Sequence, residues 1–354
     1  MTARVTETAK RAAIATLVVG GIVALALAVW KLKLLFALLF LAFILAAAMR
    51  PTVEWLARKG IPRALGILLH YTVLVGGLVA FLWVVIPRAI EQIEDAVGAN
   101  SELGEEAQRS TGLKHDILVG LQRRLENLPS GESLVDPAVE VTRIVVEIGL
   151  GIFFVLASAA YWTFEREHAQ NLLASLIPRP RRKRVRDTWN LIDAKLGAYV
   201  RGQAVLIVGV AAVLSVVFWA IGLPYWLLVA AFAGIVEIIP VIGPFAAGAL
   251  AVGVGFTDSL QTALLAGIAV LVVRLLEDYL VIPRVLGDAV GLTPLVVLFA
   301  VTACGLLFGG FAVILAIPAA AVVATLINVI VRNQDPAEEE VPSVIFSPSD
   351  AESS

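Results

Sequence analysis

GIVEIIPVIGPFAAG, residues 234–248, decides how this chain is read. The stretch lies inside an apolar run, 225–256, yet it carries the carboxylate Glu237 and the prolines Pro240 and Pro244 on either side of Gly243. Proline removes a backbone donor and clashes with the preceding turn, so a helix cannot pass through here undisturbed. In lipid the freed carbonyls need partners, and broken backbone persists only where protein covers it or water reaches it. Glu237 adds an ionisable group, which inside a membrane helix marks a pathway or a relay by default. The structural alternative for Glu237 is a fixed pair with Arg274.

The rest of the sequence supplies the lipid. The 354 residues are 59% hydrophobic and 16% charged, against roughly a quarter charged in soluble domains. A helix needs roughly 20 apolar residues to cross a bilayer. Candidate spans fall at 12–30, 34–49, 65–87, 144–164, 203–222, 225–256, 259–282 and 294–331. The expected fold is all-α and polytopic, with about eight transmembrane segments and broken or re-entrant helices in the C-terminal half. Only Lys31, Leu32 and Lys33 separate the first two candidates, so one long bent helix competes with a hairpin there. Residues 1–30, with Lys10 and Arg11 ahead of an apolar stretch and ALA at 24–26, have the outline of a signal peptide. Their direct run into a second apolar block favours a span.

Lys and Arg in the connections set the expected orientation. Residues 50–64 carry Arg50, Arg58, Lys59 and Arg63, and 165–201 carries RPRRKRVR at 179–186. Both are expected in the cytoplasm, with both chain termini on the same side. Residues 88–143 hold six Lys/Arg against eleven Asp/Glu, which suits the outside. The expected organisation is therefore membrane segments over 1–87, an extracytoplasmic insert over 88–143, a membrane core over 144–331 with a basic cytoplasmic loop at 165–201, and a disordered acidic tail over 332–354. Within the insert, Ile90, Ile93 and Val97, then Leu113, Ile117, Leu121, Leu125 and Leu128, recur at helical spacing. Two amphipathic helices are expected, with Pro129, Gly131 and Pro137 breaking the chain before the fourth span.

The C-terminal half holds the chemistry. Arg274, Glu277 and Asp278 stand at i, i+3 and i+4, which places them on one helix face. Together with Glu237, Pro240, Gly243 and Pro244 they are the candidate transport-pathway residues. Pro283, Gly287, Gly291 and Pro294 bracket a polar connection and are expected to turn the chain. Segment 294–331 is too long for one straight crossing, and Gly305, Gly309, Gly310 and Pro318 are its expected breakers. Gly305 and Gly309 form a GxxxG, which permits close helix approach and, with it, a homo-oligomer. Tyr199, Arg201 and Gln203 stand at the entrance of the fifth span as an anchor or a gate.

Several motifs recur in a fixed order: YVRGQ (199–203), GLPYWLL (222–228), EIIPVIGP (237–244), LLEDYLVIPRVLGDAVGLTPLVVLFAV (275–301) and GLLFGGFAVILAIPAAAV (305–322). In this arrangement the chain resembles the AI-2E family of bacterial membrane proteins, from about residue 10 to 331. The resemblance implies a multi-spanning transport protein of the cytoplasmic membrane. Members are linked to export of the quorum signal autoinducer-2 or to sodium/proton exchange. Arginine at 274 departs from the polar amide or similar residue usual in the family.

Other classes find little in the sequence. Net charge is −2, so nucleic acid is not an expected partner. The sequence has no GxxxxGK[ST] and no HExxH, the histidines His70, His115 and His168 are scattered, and Cys304 is the only cysteine. No enzyme activity, cofactor or metal is expected. The expected partners are the lipid bilayer, a small-molecule or cation substrate, and a possible second copy of the chain. Two functions remain: a secondary transporter, either of a small polar solute or of a cation against protons, and a non-transporting membrane scaffold or regulator.

Overall fold

Long apolar blocks leave the backbone one way to satisfy itself in lipid, the helix. The computed structural model describes residues 16–25, 27–28, 30–98, 135–239, 242–282, 291–339 and 341, and every regular element among them is helical. In chain order these are α1 (Thr16–Leu25), α2 (Lys33–Arg58), α3 (Arg63–Gly98), α4 (Val135–Ser175), α5 (Arg182–Ala220), α6 (Trp226–Val236), α7 (Ile242–Asp258), α8 (Leu260–Leu276), α9 (Pro294–Phe308), the single turn α10 (Gly310–Val313) and α11 (Ala316–Ile330). Lys33–Arg58, Arg63–Arg88, Val146–Ser175 and Arg179–Ala220 are each long and apolar enough to cross a membrane.

Several boundaries differ from the sequence expectation. The backbone bonds Leu32 N to Ala28 O and Phe36 N to Leu32 O carry helical bonding past Lys31 and Lys33. The chain therefore continues along one bent helix there, and the first two candidate spans do not form a hairpin. Helix α3 passes through residue 88 without a break, with Pro87 inside it, so Ile90, Ile93 and Val97 belong to the same helix as the third span. Pro137 was expected to break the chain, yet it lies in the first turn of α4, where a missing N–H has no acceptor to lose. Leu113 to Leu128, Pro129 and Gly131 lie outside the described residues. The expected basic loop 165–201 is a helical hairpin: α4 runs to Ser175, a 3-10 turn covers Arg179–Arg181, and α5 then continues unbroken for 39 residues.

Helices α5 to α8 form one packed unit whose register is set by small residues. The turn after α5 uses Gly222 and Tyr225, both at positive φ (71° and 55°). Helix α6 then runs back along α5. A Cβ on Gly234 would stand 2.7 Å from the Ala211 Cβ and 2.8 Å from the Ile207 carbonyl oxygen, so only glycine permits this approach. Helices α7 and α8 form a tight hairpin. Ser259 caps α8 by accepting the Thr262 N–H at 3.1 Å, and Gly255 packs directly on the backbone of Thr262 and Ala263. The shared core contains Val210, Leu214, Phe218, Val229, Ala230, Ala233, Ala247, Ala251, Ala266 and Val270. At 17 residues, α7 and α8 are about 25 Å long.

A second layer joins α2, α4, the first half of α5 and α11. Phe43 packs edge-on to both Trp162 and Trp189, whose rings stack with centroids 5.9 Å apart. Below them Asp193, 4% exposed, accepts from Arg166 at 2.6 Å and lies 3.7 Å from Arg50. Arg50 also holds Glu54, and Arg166 reaches Asn190 at 2.7 Å. Three helices thus share one buried ionic knot. Asp193→Ala leaves Arg166 facing a buried gap, a loss expected to cost about 3 kcal/mol or more. A lowered thermal unfolding midpoint in detergent, with Asp193→Asn falling between wild type and alanine, checks it.

Candidate functional site

The apolar run 225–256 breaks after α6, as the prolines require. The last turn of α6 tightens, with Ile238 N bonding Ile235 O and Ile239 N bonding Val236 O. Glu237 stands at this frayed end. Its carbonyl oxygen, which the break would otherwise leave open, accepts from Gln203 Nε2 of α5 at 2.9 Å. Gly243, second residue of α7, lies against the Val236 carbonyl so closely that any Cβ there would overlap it. Pro244 follows inside the first helical turn, where proline is tolerated. Pro240 lies outside the described residues.

Arg274 arrives from the end of α8. Its Nη1 is 3.2 Å from Glu237 Oε1 and 3.8 Å from Glu277 Oε2, and its Nη2 is 2.9 Å from Asp278 Oδ1. The sequence-predicted set Glu237, Arg274, Glu277 and Asp278 is therefore one cluster. Exposure rises through it, from 7% and 8% at the Glu277 and Glu237 side chains to 29% at Arg274 and 41% at Asp278. Beyond Arg274 the helix widens into a π turn, Glu277–Val281. Such turns recur at functional sites because they re-aim side chains. One guanidinium faces three carboxylates, and Oε1 of Glu277 is buried with no hydrogen-bond partner among the described residues. No group of three His, Cys, Asp or Glu side chains converges as a metal site among those residues.

The cluster joins the C-terminal ends of α6 and α8 and the start of α7 to Gln203, near the middle of α5. Tyr199 is buried, Arg201 donates to the Ala48 carbonyl of α2 at 3.1 Å, and Gln203 reaches the cluster through the Glu237 carbonyl. Nothing in the sequence pattern linked Gln203 to Glu237. The signal that could have is a broken helix end, whose free carbonyl requires a donor.

The second broken segment is a hairpin. Gly309 adopts φ 93°, a conformation suited to glycine, and ends α9; α11 folds back against α9. Each limb has 15 residues, about 22 Å, shorter than the hydrocarbon. Gly305 faces Val313 across the turn, whereas nothing lies within 4 Å of a Cβ on Gly309. Gly310 begins the connecting turn α10. Pro318 was expected to break a helix but sits in the first turn of α11. Gly291 turns the chain at φ 59°, and Pro294 opens α9. Pro283 and Gly287 lie outside the described residues.

The sequence has relatives among known proteins over most of its length. The chain is 28% identical to "Putative transport protein YrrI" of Bacillus subtilis (strain 168) over 313 residues, covering 83% of this chain and 86% of that protein. It is 27% identical to "Putative transport protein MT0215" of Mycobacterium tuberculosis (strain CDC 1551 / Oshkosh) over 320 residues, 86% of this chain and 85% of that one. It is 28% identical to "Putative permease PerM" of Escherichia coli (strain K12) over 314 residues, 83% and 87% of the two chains. The AI-2E family transporter signature matches residues 19–332, which take in the ionic cluster and both broken segments, and the chain belongs to that family.

Proposed function

We propose that this protein is a secondary transporter of the bacterial cytoplasmic membrane. It moves a small polar solute outward, in exchange for a proton or sodium ion handled at Glu237, Glu277 and Asp278. The observation that carries this reading is the imbalance at the α6 break: three carboxylates share one arginine, and a buried Glu277 oxygen has no hydrogen-bond partner among the described residues. A guanidinium stays charged at all working pH values. Arg274 therefore acts as a tethered cation, and a carboxylate that takes up a proton or a monovalent ion loosens its hold on Arg274. Glu237 is fixed to α5 through its carbonyl and to α8 through its carboxylate, so this loosening frees α6 from α8 at one point. The positive-inside rule puts the basic turn 179–186 toward the cytoplasm.

The same surplus of carboxylate supports a second reading, in which the cation is itself the cargo and the protein is a sodium/proton antiporter. Reconstitution separates the two. Purified protein in liposomes is followed with an internal pH dye under an imposed sodium gradient, with labelled autoinducer-2 in a parallel arm. Label efflux that depends on the ion gradient is the expected result. Sodium-driven proton movement without label flux identifies the antiporter. No flux in either arm from correctly inserted protein turns the reading toward a scaffold.

A further inference from the structure

We propose that Arg332–Glu339 is a releasable strap: it fastens the α9–α11 hairpin to α5 through Lys195 and Arg184, and its release lets the hairpin move away. The chain leaves α11 through Asn333, at φ 54°, a left-handed position that asparagine tolerates better than most residues. Arg184 secures this exit. Its Nη1 donates to Asn333 Oδ1 at 2.7 Å, and its Nη2 donates to the carbonyls of Val329 at 2.6 Å and Gln334 at 3.3 Å. An arginine at a helix C-terminus also complements the helix dipole.

The second fastening is ionic. The strap reaches Lys195, eleven residues further along α5, where Glu339 accepts from Nζ. Lys195 also donates to Thr325 of α11 at 3.3 Å. The lysine side chain is 6% exposed, and Glu339 is its carboxylate partner. A buried cation that loses its counter-ion must regain water. Thr325 of α11 is a further partner of Lys195, so losing Glu339 loosens α11 from α5. Glu339 is 36% exposed, which leaves the pair open to solvent ions and makes the strap reversible.

The hairpin bears on the ionic cluster through α5. Leu315, at the start of α11, packs with Leu196, Ile44 and Ala47. Leu196 is seven residues from Gln203, about 10 Å along the helix. The strap thus sets one wall of the approach to Glu237; this last step rests on the transporter reading, whereas the strap itself does not.

Val322 of α11 is half-buried against the Leu196 cluster, so Val322→Cys in a Cys304→Ser background reports hairpin position. The full chain in lipid nanodiscs is alkylated with N-ethylmaleimide, and the rate at position 322 is followed by mass. Glu339→Gln is expected to raise that rate about fivefold, the ratio that ~1 kcal/mol gives. Lys195→Met combined with Glu339→Gln removes the buried cation as well and is expected to return the rate to that of wild type. Wild-type labelling in Glu339→Gln overturns the strap, as does a double variant that labels as fast as the single one. Labelling needs no transport, so a protein that labels as expected but moves no solute counts against the transporter reading alone.

Discussion

Arg274→Leu is expected to destabilise the protein by about 3–5 kcal/mol, and adding Glu237→Gln is expected to recover part of that loss. The direction follows from the imbalance at the cluster. Arg274 is the cation that contacts Glu237, Glu277 and Asp278 together. Glu237 and Glu277 are buried, and water cannot replace the guanidinium at either. Removing the arginine leaves two buried carboxylates side by side, each desolvated and each repelling the other. Neutralising Glu237 removes one of them. A double-mutant cycle on thermal unfolding in detergent isolates the coupling, expected between 0.5 and about 3 kcal/mol for directly contacting groups. A cycle that closes additively means that the 3.2 Å contact carries no energy.

The second large effect is expected at Gly243→Ala. The added methyl group would overlap the Val236 carbonyl oxygen and stand 2.7 Å from its carbon, and both atoms are backbone at the end of α6. No side-chain rotation relieves the overlap, so α7 must move away from Glu237. Overpacking of this kind costs about 1–3 kcal/mol. The displacement acts on the residue next to Val236, which is Glu237, so coupled flux is expected to fall even where the variant folds. Gly253→Ala in the same helix is the control. Nothing lies within 4 Å of a Cβ there, and helix propensity favours alanine, so wild-type flux and equal or higher stability are expected. Equal flux from Gly243→Ala and Gly253→Ala would show that the α6–α7 approach has no role in transport.

Much of the membrane architecture was legible because it follows from hydrogen-bond satisfaction in lipid. Apolar blocks gave helices, prolines with Gly243 gave the break, and Gly309 gave the second reversal. The i, i+3, i+4 spacing of Arg274, Glu277 and Asp278 placed them on one face, and the structure adds Glu237 to them. The π turn at Glu277–Val281 was hidden, since one extra residue in a turn leaves no mark on composition. Gln203 was hidden because its acceptor is a backbone carbonyl, which no side-chain pattern reveals.

The polar half of α5 misled in a different way. Residues 179–201 carry the density of charge expected of a solvated loop, yet Asp193 and Lys195 are buried on different contacts. Asp193 pairs with Arg166 of α4, and Lys195 pairs with Glu339 beyond α11. Both partners are distant in sequence, so the charges looked unpaired. Pro137 and Pro318 differ for a related reason. Each was read as a breaker, but each occupies a first helical turn, where the break has already happened.

The most direct test is Glu237→Gln in reconstituted liposomes beside wild type at equal insertion. Glutamine keeps the size and the backbone carbonyl that Gln203 holds, and removes only the charge that meets Arg274. Coupled flux is expected to fall to the rate of empty liposomes while the variant stays folded. Flux at the wild-type rate, with the same dependence on the imposed ion gradient, would contradict a coupling role for Glu237 and leave it a structural partner of Arg274.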